Sequence, residues 1–350
     1  MKKIISYLKT FVFSIYIKSD PEKYNREHMG TLNFWRLLFI SICRPGRTIV
    51  KLRYGQFFKN KKKINISFKK NIDSINMNQN ISDSKKNKLL KAMDDLFSNG
   101  GVIIDKYFSD EEISFFLKEN KVLLEHIKQK PDSKIAEYNS YVIKLSDSVI
   151  KFWLDSNLMS LLNTYYGRQI YARDYPYLHY TKIPKNYNNF KEGKLLPDMW
   201  HIDHVLIANM FILLEDVSEN ETCMEILPGT HKYLNYPFPG YSKKTIESSG
   251  IQPIKCFGKK GTVHIHIGNT MHRLKPVSGN NRLAFYSIFT PGPNIVIDCE
   301  KISKCLNSNF KLENLKEENR KILSGLFPRN LPKGYELIND AFLPTKFKGI

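Results

Sequence analysis

Hydrophobic and polar positions change period along this chain. Over residues 86–97, Leu89, Leu90, Met93, Leu96 and Phe97 recur at helical spacing, and Gly100-Gly101 ends the run. Val102-Ile103-Ile104 then reads as a short strand. Ser109 followed by Glu112 forms a capping box, which predicts a helix from there to about Ile127. A further helical pattern covers 146–166. From 169 onward the pattern favours strands, with candidates at 169–175, 177–183, 205–214, 223–227, 262–267 and 282–289. Turn signals separate several of them: Pro184, Pro228-Gly229, Gly268-Asn269, Gly279-Asn280-Asn281 and Pro291-Gly292. Helices followed by many short strands predict an α+β domain whose core is a β-sandwich or barrel. A charged helix is expected over 312–326, followed by an irregular tail marked by Pro328, Pro332 and Pro344.

Residues 1–85 break this pattern. Apolar clusters around Trp35 and Phe57-Phe58 alternate with basic ones, and 71–85 is an Asn/Ser-rich stretch that reads as a linker. This segment holds 18 Lys or Arg against 5 Asp or Glu, whereas the whole chain carries a net charge of +20. The basic character therefore belongs mainly to the N-terminal quarter. One reading is a basic amphipathic arm in peripheral contact with an anionic membrane; the other is a solvated extension packed partly on the main domain. A nucleic-acid partner is disfavoured, because the rest of the chain is close to charge balance. Three units follow: 1–85 as extension and linker, 86–297 as the main domain, and 298–350 as the C-terminal helix and tail.

Composition excludes several classes. At 42% hydrophobic and 25% charged, 350 residues fit a globular protein rather than a disordered or fibrous one. Five Cys without a CxxC exclude a disulfide scaffold and a Cys-based zinc finger. The longest apolar stretch, 4–17, carries Lys9 and as a helix would reach only ~21 Å against a ~30 Å hydrocarbon core. No transmembrane segment is expected. No small-x-small cleavage site follows Met1-Lys2-Lys3 and the apolar run, so the expected location is cytoplasmic, with a peripheral membrane contact through the arm.

The candidate chemistry lies in His201-Ile202-Asp203, at the mouth of the strand over 205–214. In an extended backbone, residues two apart face the same way, so imidazole and carboxylate can hold one metal ion. His272, after the 262–267 strand, is the candidate third ligand. Two His and one carboxylate leave half the coordination sphere open, which is the facial triad of non-haem Fe(II) oxygenases. A 2-oxo acid can fill two of the open positions and O2 the last. Arg282, ten residues after His272, would return beside the metal by a hairpin-like turn and bind a distal carboxylate bidentately. His264-Ile265-His266 offers a rival, cupin-like site with His272; its bland reading is one face of an exposed strand. Asn209 and Glu215 could line a cavity or face solvent.

The stretches WHIDH at 200–204, FILLEDVSENETCMEILPGTHK at 211–232 and GTVHIHIGNTMHRLKPVSGNNR at 261–282, with GGVIIDKYFSDEE at 100–112, make the chain recognisable. It resembles the phytanoyl-CoA dioxygenase family of Fe(II)/2-oxoglutarate-dependent oxygenases over roughly residues 86–295. The resemblance implies a double-stranded β-helix, a cupin-like jelly roll, flanked by helices. It carries over His201, Asp203 and His272 as iron ligands and Arg282 as the anchor of 2-oxoglutarate. It also puts Phe211 over the co-substrate and offers Lys144 or Tyr141 as a further polar contact. The implied cofactors are Fe(II), 2-oxoglutarate and O2, with ascorbate as a candidate stimulant. The implied reaction is hydroxylation of an unactivated C–H of a small-molecule or lipid-like substrate, with 2-oxoglutarate decarboxylated to succinate. Asp203 itself argues for hydroxylation, since a chlorinating relative would have a small residue there. The chain departs from the family at Ile267, ahead of the metal-binding turn, and at Leu274, where a small residue such as Ser is usual. Substrate choice is expected in the loops 185–198 and 233–256, where Lys185, Lys191, Lys194, Lys243, Lys244 and Lys255 could form a basic rim. The alternative function is a non-catalytic binding or membrane-associated protein on this scaffold, with the basic arm as its working part.

Overall fold

The computed structural model describes residues 82–129, 136–143, 146–167, 170–172, 176–185, 187, 200–203, 207–232, 246–247, 249–291, 335–338 and 341–344. The basic segment before residue 82, Lys144, His204 and the helix expected over 312–326 lie outside them, as do the basic-rim residues Lys191, Lys194, Lys243 and Lys244.

Among the described residues, five helices lie before residue 167, interspersed with two strands. Helix α1 (Asp83–Asn99) starts inside the stretch expected to be linker, because Ser82 caps it by accepting from the Lys85 amide. Its apolar positions Leu89, Met93, Leu96 and Phe97 are buried, and Gly100 ends it at φ 76°. The helix expected from Ser109 is two helices, α2 (Asp110–Glu119) and α3 (Lys121–Lys128), broken at Asn120. The capping box at Ser109 and Glu112 is formed. The 146–166 helix is likewise two, α4 (Asp147–Trp153) and α5 (Ser156–Tyr166). Asp155 causes that break by turning its carboxylate onto the amides of Asn157 and Leu158, an N-cap in the middle of a continuous apolar pattern.

The strands are β1 (Gly101–Ile104), β2 (Glu137–Val142), β3 (Tyr171–Ala172), β4 (Tyr177–Lys182), β5 (Ala208–Leu213), β6 (Cys223–Ile226), β7 (Ile254–Cys256), β8 (Val263–Ile267), β9 (His272–Lys275) and β10 (Arg282–Thr290). A hairpin of β11 (Tyr335–Ile338) and β12 (Ala341–Pro344) replaces part of the tail expected to be irregular. The main sheet is antiparallel, in the order β1-β8-β5-β10-β4-β2, with β3 added beside β10. A smaller antiparallel sheet has the order β7-β6-β9. β9 and β10 therefore belong to different sheets, so the hairpin-like return expected between His272 and Arg282 does not form. Pro276 and the turn at Gly279 carry the chain from one sheet to the other.

Alternation along the main sheet separates two environments. On one face, Met210, Ile212, Val263, Ile265, Leu283 and Phe285 join the helices in one hydrophobic core. Phe285 makes edge contacts with Phe116 of α2 and Phe152 of α4, at 5.8 and 6.0 Å between ring centroids. The other face carries Asn209, Phe211, His264, His266, Arg282 and Tyr286. The small sheet covers part of it: Met224, Ile226, Cys256 and Leu274 pack against Ile103 and Tyr138 of the main sheet.

Candidate active site between the two sheets

His201 pairs with His272 as an isolated bridge, each backbone amide donating to the other's carbonyl at 3.0 Å, so the chain at 201 runs beside β9. Trp200 is held just before it, under the Arg273 guanidinium at 4.7 Å, and Arg273 is fixed by Glu225 of β6 at 2.8 Å. The Asp203 amide then donates to the Gly268 carbonyl, tying this segment to the turn after β8. Three separate parts of the chain thus converge.

Their side chains meet. One ligand atom each from His201, Asp203 and His272 lies within 4.8 Å of the others. The Asp203 carboxylate is 3.3 Å from His272 Nε2 and 4.0 Å from His201 Nε2. Ligands at right angles around a cation at ~2.1 Å would sit ~3 Å apart, so the set fits one small transition-metal ion with little movement. His272 Nδ1 donates to the Thr270 carbonyl at 2.8 Å, which leaves the Nε2 lone pair free to bind a metal. Burial raises the Asp203 pKa, but the charges of His272 and His201 and the Asn209 hydrogen bond outweigh it, and the carboxyl stays well below its ordinary value.

Behind the triad, the Asn209 amide is a hub. It donates to Asp203 Oδ2 at 2.7 Å, sits 2.9 Å from His266 Nε2, and accepts from the Tyr286 hydroxyl at 2.9 Å. The two alternatives left open for Asn209 resolve in favour of the cavity. Glu215 does neither thing expected of it: its carboxylate accepts the Leu283 amide at 2.8 Å and stitches the end of β5 to β10.

His264 and His266 do not lie on an exposed strand. They are 2% and 1% exposed, because β8 is an inner strand between β1 and β5. Their rings stack on each other at 5.0 Å, and His266 lies 4.1 Å from the His272 ring. The rival metal site does not assemble; among the described residues only His201, Asp203 and His272 form such a group.

Arg282 is fully buried, and none of its three guanidinium nitrogens has a hydrogen-bond partner. Its Cζ lies 5.3 Å from the Phe211 ring, which in turn stacks on Tyr286 at 4.4 Å. Burial lowers the Arg282 pKa, yet a guanidinium stays charged in proteins. Phe211 and Arg282 thus lie together on the inner face. Tyr141 is not a contact: it belongs to the helix-side core, one residue out of phase with the inner face. Of the two departures, Ile267 also packs into the helix-side core, while Leu274 turns an apolar side chain toward the inner face. Lys255 is taken by Glu219 at 3.0 Å on a strand, not held on a loop rim. His179 lies beside Phe211 and Tyr286 on the inner face and contacts the Ser140 hydroxyl at 3.1 Å.

A buried guanidinium without a hydrogen-bond partner, on the same inner face as a His-Asp-His group, is the chemistry of a site that takes a metal and an anion together. A sequence model of the phytanoyl-CoA dioxygenase family matches residues 82–282. The chain belongs to that family. It is thus an iron- and 2-oxoglutarate-dependent dioxygenase. No curated protein matches it in sequence. Among solved structures, the dioxygenase is similar to SnoN, a non-heme alpha ketoglutarate dependent epimerase from nogalamycin biosynthesis, at 17% identity over 58% of this chain and 80% of that one, with a TM-score of 0.42. EctD from S. alaskensis, solved with 2-oxoglutarate and 5-hydroxyectoine, is 18% identical over 60% of this chain and 76% of its own, with a TM-score of 0.43. The carbocyclase SnoK, also from nogalamycin biosynthesis, is 16% identical over 61% and 85%, with a TM-score of 0.42. Among the described residues, no helix is long and apolar enough to cross a membrane.

Proposed function

We propose that this dioxygenase hydroxylates an unactivated C–H bond of a small organic molecule at the His201-Asp203-His272 site. The observation that carries this is the pairing of that triad with the unpartnered, fully buried Arg282 on the same inner face. His201, Asp203 and His272 would hold Fe(II), and Arg282 would neutralise the distal carboxylate of 2-oxoglutarate. The two sheets would then be the walls of a double-stranded β-helix, with the chemistry between them.

Bound iron and 2-oxoglutarate supply O2 activation coupled to decarboxylation of the co-substrate, which turns a C–H bond into C–OH. The chain's own residues do the rest. Asn209 would hold the Asp203 carboxylate in position for the metal by donating to its Oδ2. Thr270 fixes the tautomer of His272. Phe211 and Tyr286 form an aromatic floor that excludes water from the guanidinium, where a desolvated charge binds an anion far more strongly than in solvent. A carboxylate at position 203 fills the coordination place that a small residue would open to a halide, which favours hydroxylation.

Oxygen-free titration tests this reading. With Fe(II) and 2-oxoglutarate, wild-type protein is expected to show the visible charge-transfer band of a chelated iron–2-oxo acid complex. Asp203→Ala should abolish the band. A folded wild-type protein that gives no band at millimolar 2-oxoglutarate would overturn the proposal.

A further inference from the structure

His264 has no task in the site as described, and its surroundings are unusual. Both ring nitrogens are buried and neither has a hydrogen-bond partner. On β8 it stands directly opposite Phe211 of the neighbouring β5, with the rings 5.8 Å apart and nearly parallel, so it shares the aromatic row over which the Arg282 guanidinium lies. That row is two residues along the strand from the one holding Asn209 and His266, or ~7 Å from the groups that touch the triad. This is the span of a short dicarboxylic acid. The hydroxyl of Thr181, directly across from Arg282 on β4, is also buried without a partner. Leu274, on the facing wall, offers no polar atom. Cys223 and Cys256 of the small sheet also face Arg282, but a thiol is a weak donor; of the unpartnered polar groups on the main sheet, His264 is the one that shares the Phe211 row with the guanidinium.

Resting on the proposed co-substrate site, we infer that His264 is a second recognition group for the distal carboxylate of 2-oxoglutarate, donating a ring N–H to the oxygen pair that Arg282 neutralises. Burial and the Arg282 charge lower the His264 pKa to about 3, so the ring is neutral and carries one N–H donor. A neutral donor suits this position: it adds a hydrogen bond without placing a second cation beside a buried guanidinium. A carboxylate would also satisfy groups that otherwise remain unpaired in the interior. His264 is thus a specificity-determining residue, and it makes the pocket discriminate a 2-oxo diacid from a 2-oxo monoacid of the same length.

The test compares 2-oxoglutarate with 2-oxopentanoate, which has the same chain and no distal carboxylate. Binding to the Fe(II) protein is read from the charge-transfer band without oxygen and, independently, from titration calorimetry on the Mn(II) form. His264→Phe keeps the ring shape and removes the donor; His264→Leu serves if the larger ring fails to fold. The expected result is a loss of roughly tenfold to a hundredfold in 2-oxoglutarate affinity, the scale of a hydrogen bond to a charged group, with 2-oxopentanoate unchanged. His264→Gln, which restores an N–H, should recover most of the loss. Equal weakening of both acids would mean a merely structural role and would overturn the inference, as would undiminished 2-oxoglutarate binding in the Phe or Leu variant. Wild-type protein that bound neither acid would take down the proposed function with it; wild-type binding that His264 variants retain takes down the inference alone.

Discussion

The two faces of the main sheet are made of the same strands and differ by a shift of one residue. On β10, Leu283 and Phe285 point into the helix-side core while Arg282 and Tyr286 face the small sheet. On β8, Ile265 packs against helices while His264 and His266 line the interior between the sheets. The helix side is packed mainly with apolar side chains, and its few unpartnered polar atoms, such as Ser287 Oγ, are uncharged. The inner side holds a buried cation, imidazoles and a hydroxyl whose bonding capacity is unmet. One face stabilises the protein; the other lowers its stability and gains a ligand site in return.

Substitutions can separate the two. Phe285→Ala, on the packed side, leaves a cavity between α2, α4 and β10 and should cost ~3–5 kcal/mol of unfolding free energy, read by urea denaturation. Arg282→Met, on the inner side, should behave oppositely. It removes a buried charge that has no hydrogen-bond partner, with only the Glu215 carboxylate to offset it, so the ligand-free protein should be neutral to ~1–4 kcal/mol more stable, while 2-oxoglutarate affinity falls by at least about a hundredfold. If Arg282→Met destabilised the ligand-free protein as Phe285→Ala does, the contrast between the faces would fail. Asn209→Leu should weaken Fe(II) affinity by ~10–100-fold and also lower the thermal midpoint, because Asp203, His266 and the Tyr286 hydroxyl all lose their contact with its amide.

The smallest expected effect is a pH dependence confined to the inner face. Burial, then the Arg282 charge, lowers both His264 and His179 from 6.5 to about 3. For a base whose folded pKa is lowered, the unfolded chain takes up protons first as pH falls. The stability contribution is therefore complete above 6.5 and declines as pH drops from 6.5 toward 3, at no more than ~1.4 kcal/mol per pH unit for His264. His264→Phe should flatten that slope in denaturant titrations at pH 7, 6 and 5. An unchanged slope would assign it to other groups.

Much of this was legible in the sequence, and the exceptions share a cause. His201, Asp203, His272 and Arg282 stood out because metal and carboxylate chemistry constrains residue type and spacing, Phe211 stood out only through the family resemblance, and the structure brings all five onto one interior. Asn209 stayed ambiguous, and Tyr286 and His179 carried no signal, because their positions depend on which strands are neighbours. Strand order is a long-range property: the Asn209–His266 and Arg282–Thr181 pairs join residues 57 and 101 positions apart. β7 and β9 were absorbed into loops because three- and four-residue strands leave too little alternation to read. The breaks at Asn120 and Asp155 were missed because apolar periodicity runs on through a polar cap.

The corner between α1 and β1 has a mechanical consequence. The Gly100 carbonyl accepts both the Ile267 amide, at 2.9 Å, and the Thr270 hydroxyl, at 2.7 Å, just before the strand that carries His272. A side chain at Gly100 would fall 2.4 Å from both His231 and Thr270, so the backbone there is clamped on every side. The helix end and the metal-binding turn can therefore open only together. Loading the site from the His272 side should slow amide hydrogen exchange at Ile267 and through the last turn of α1, making that helix end a reporter of occupancy between the sheets.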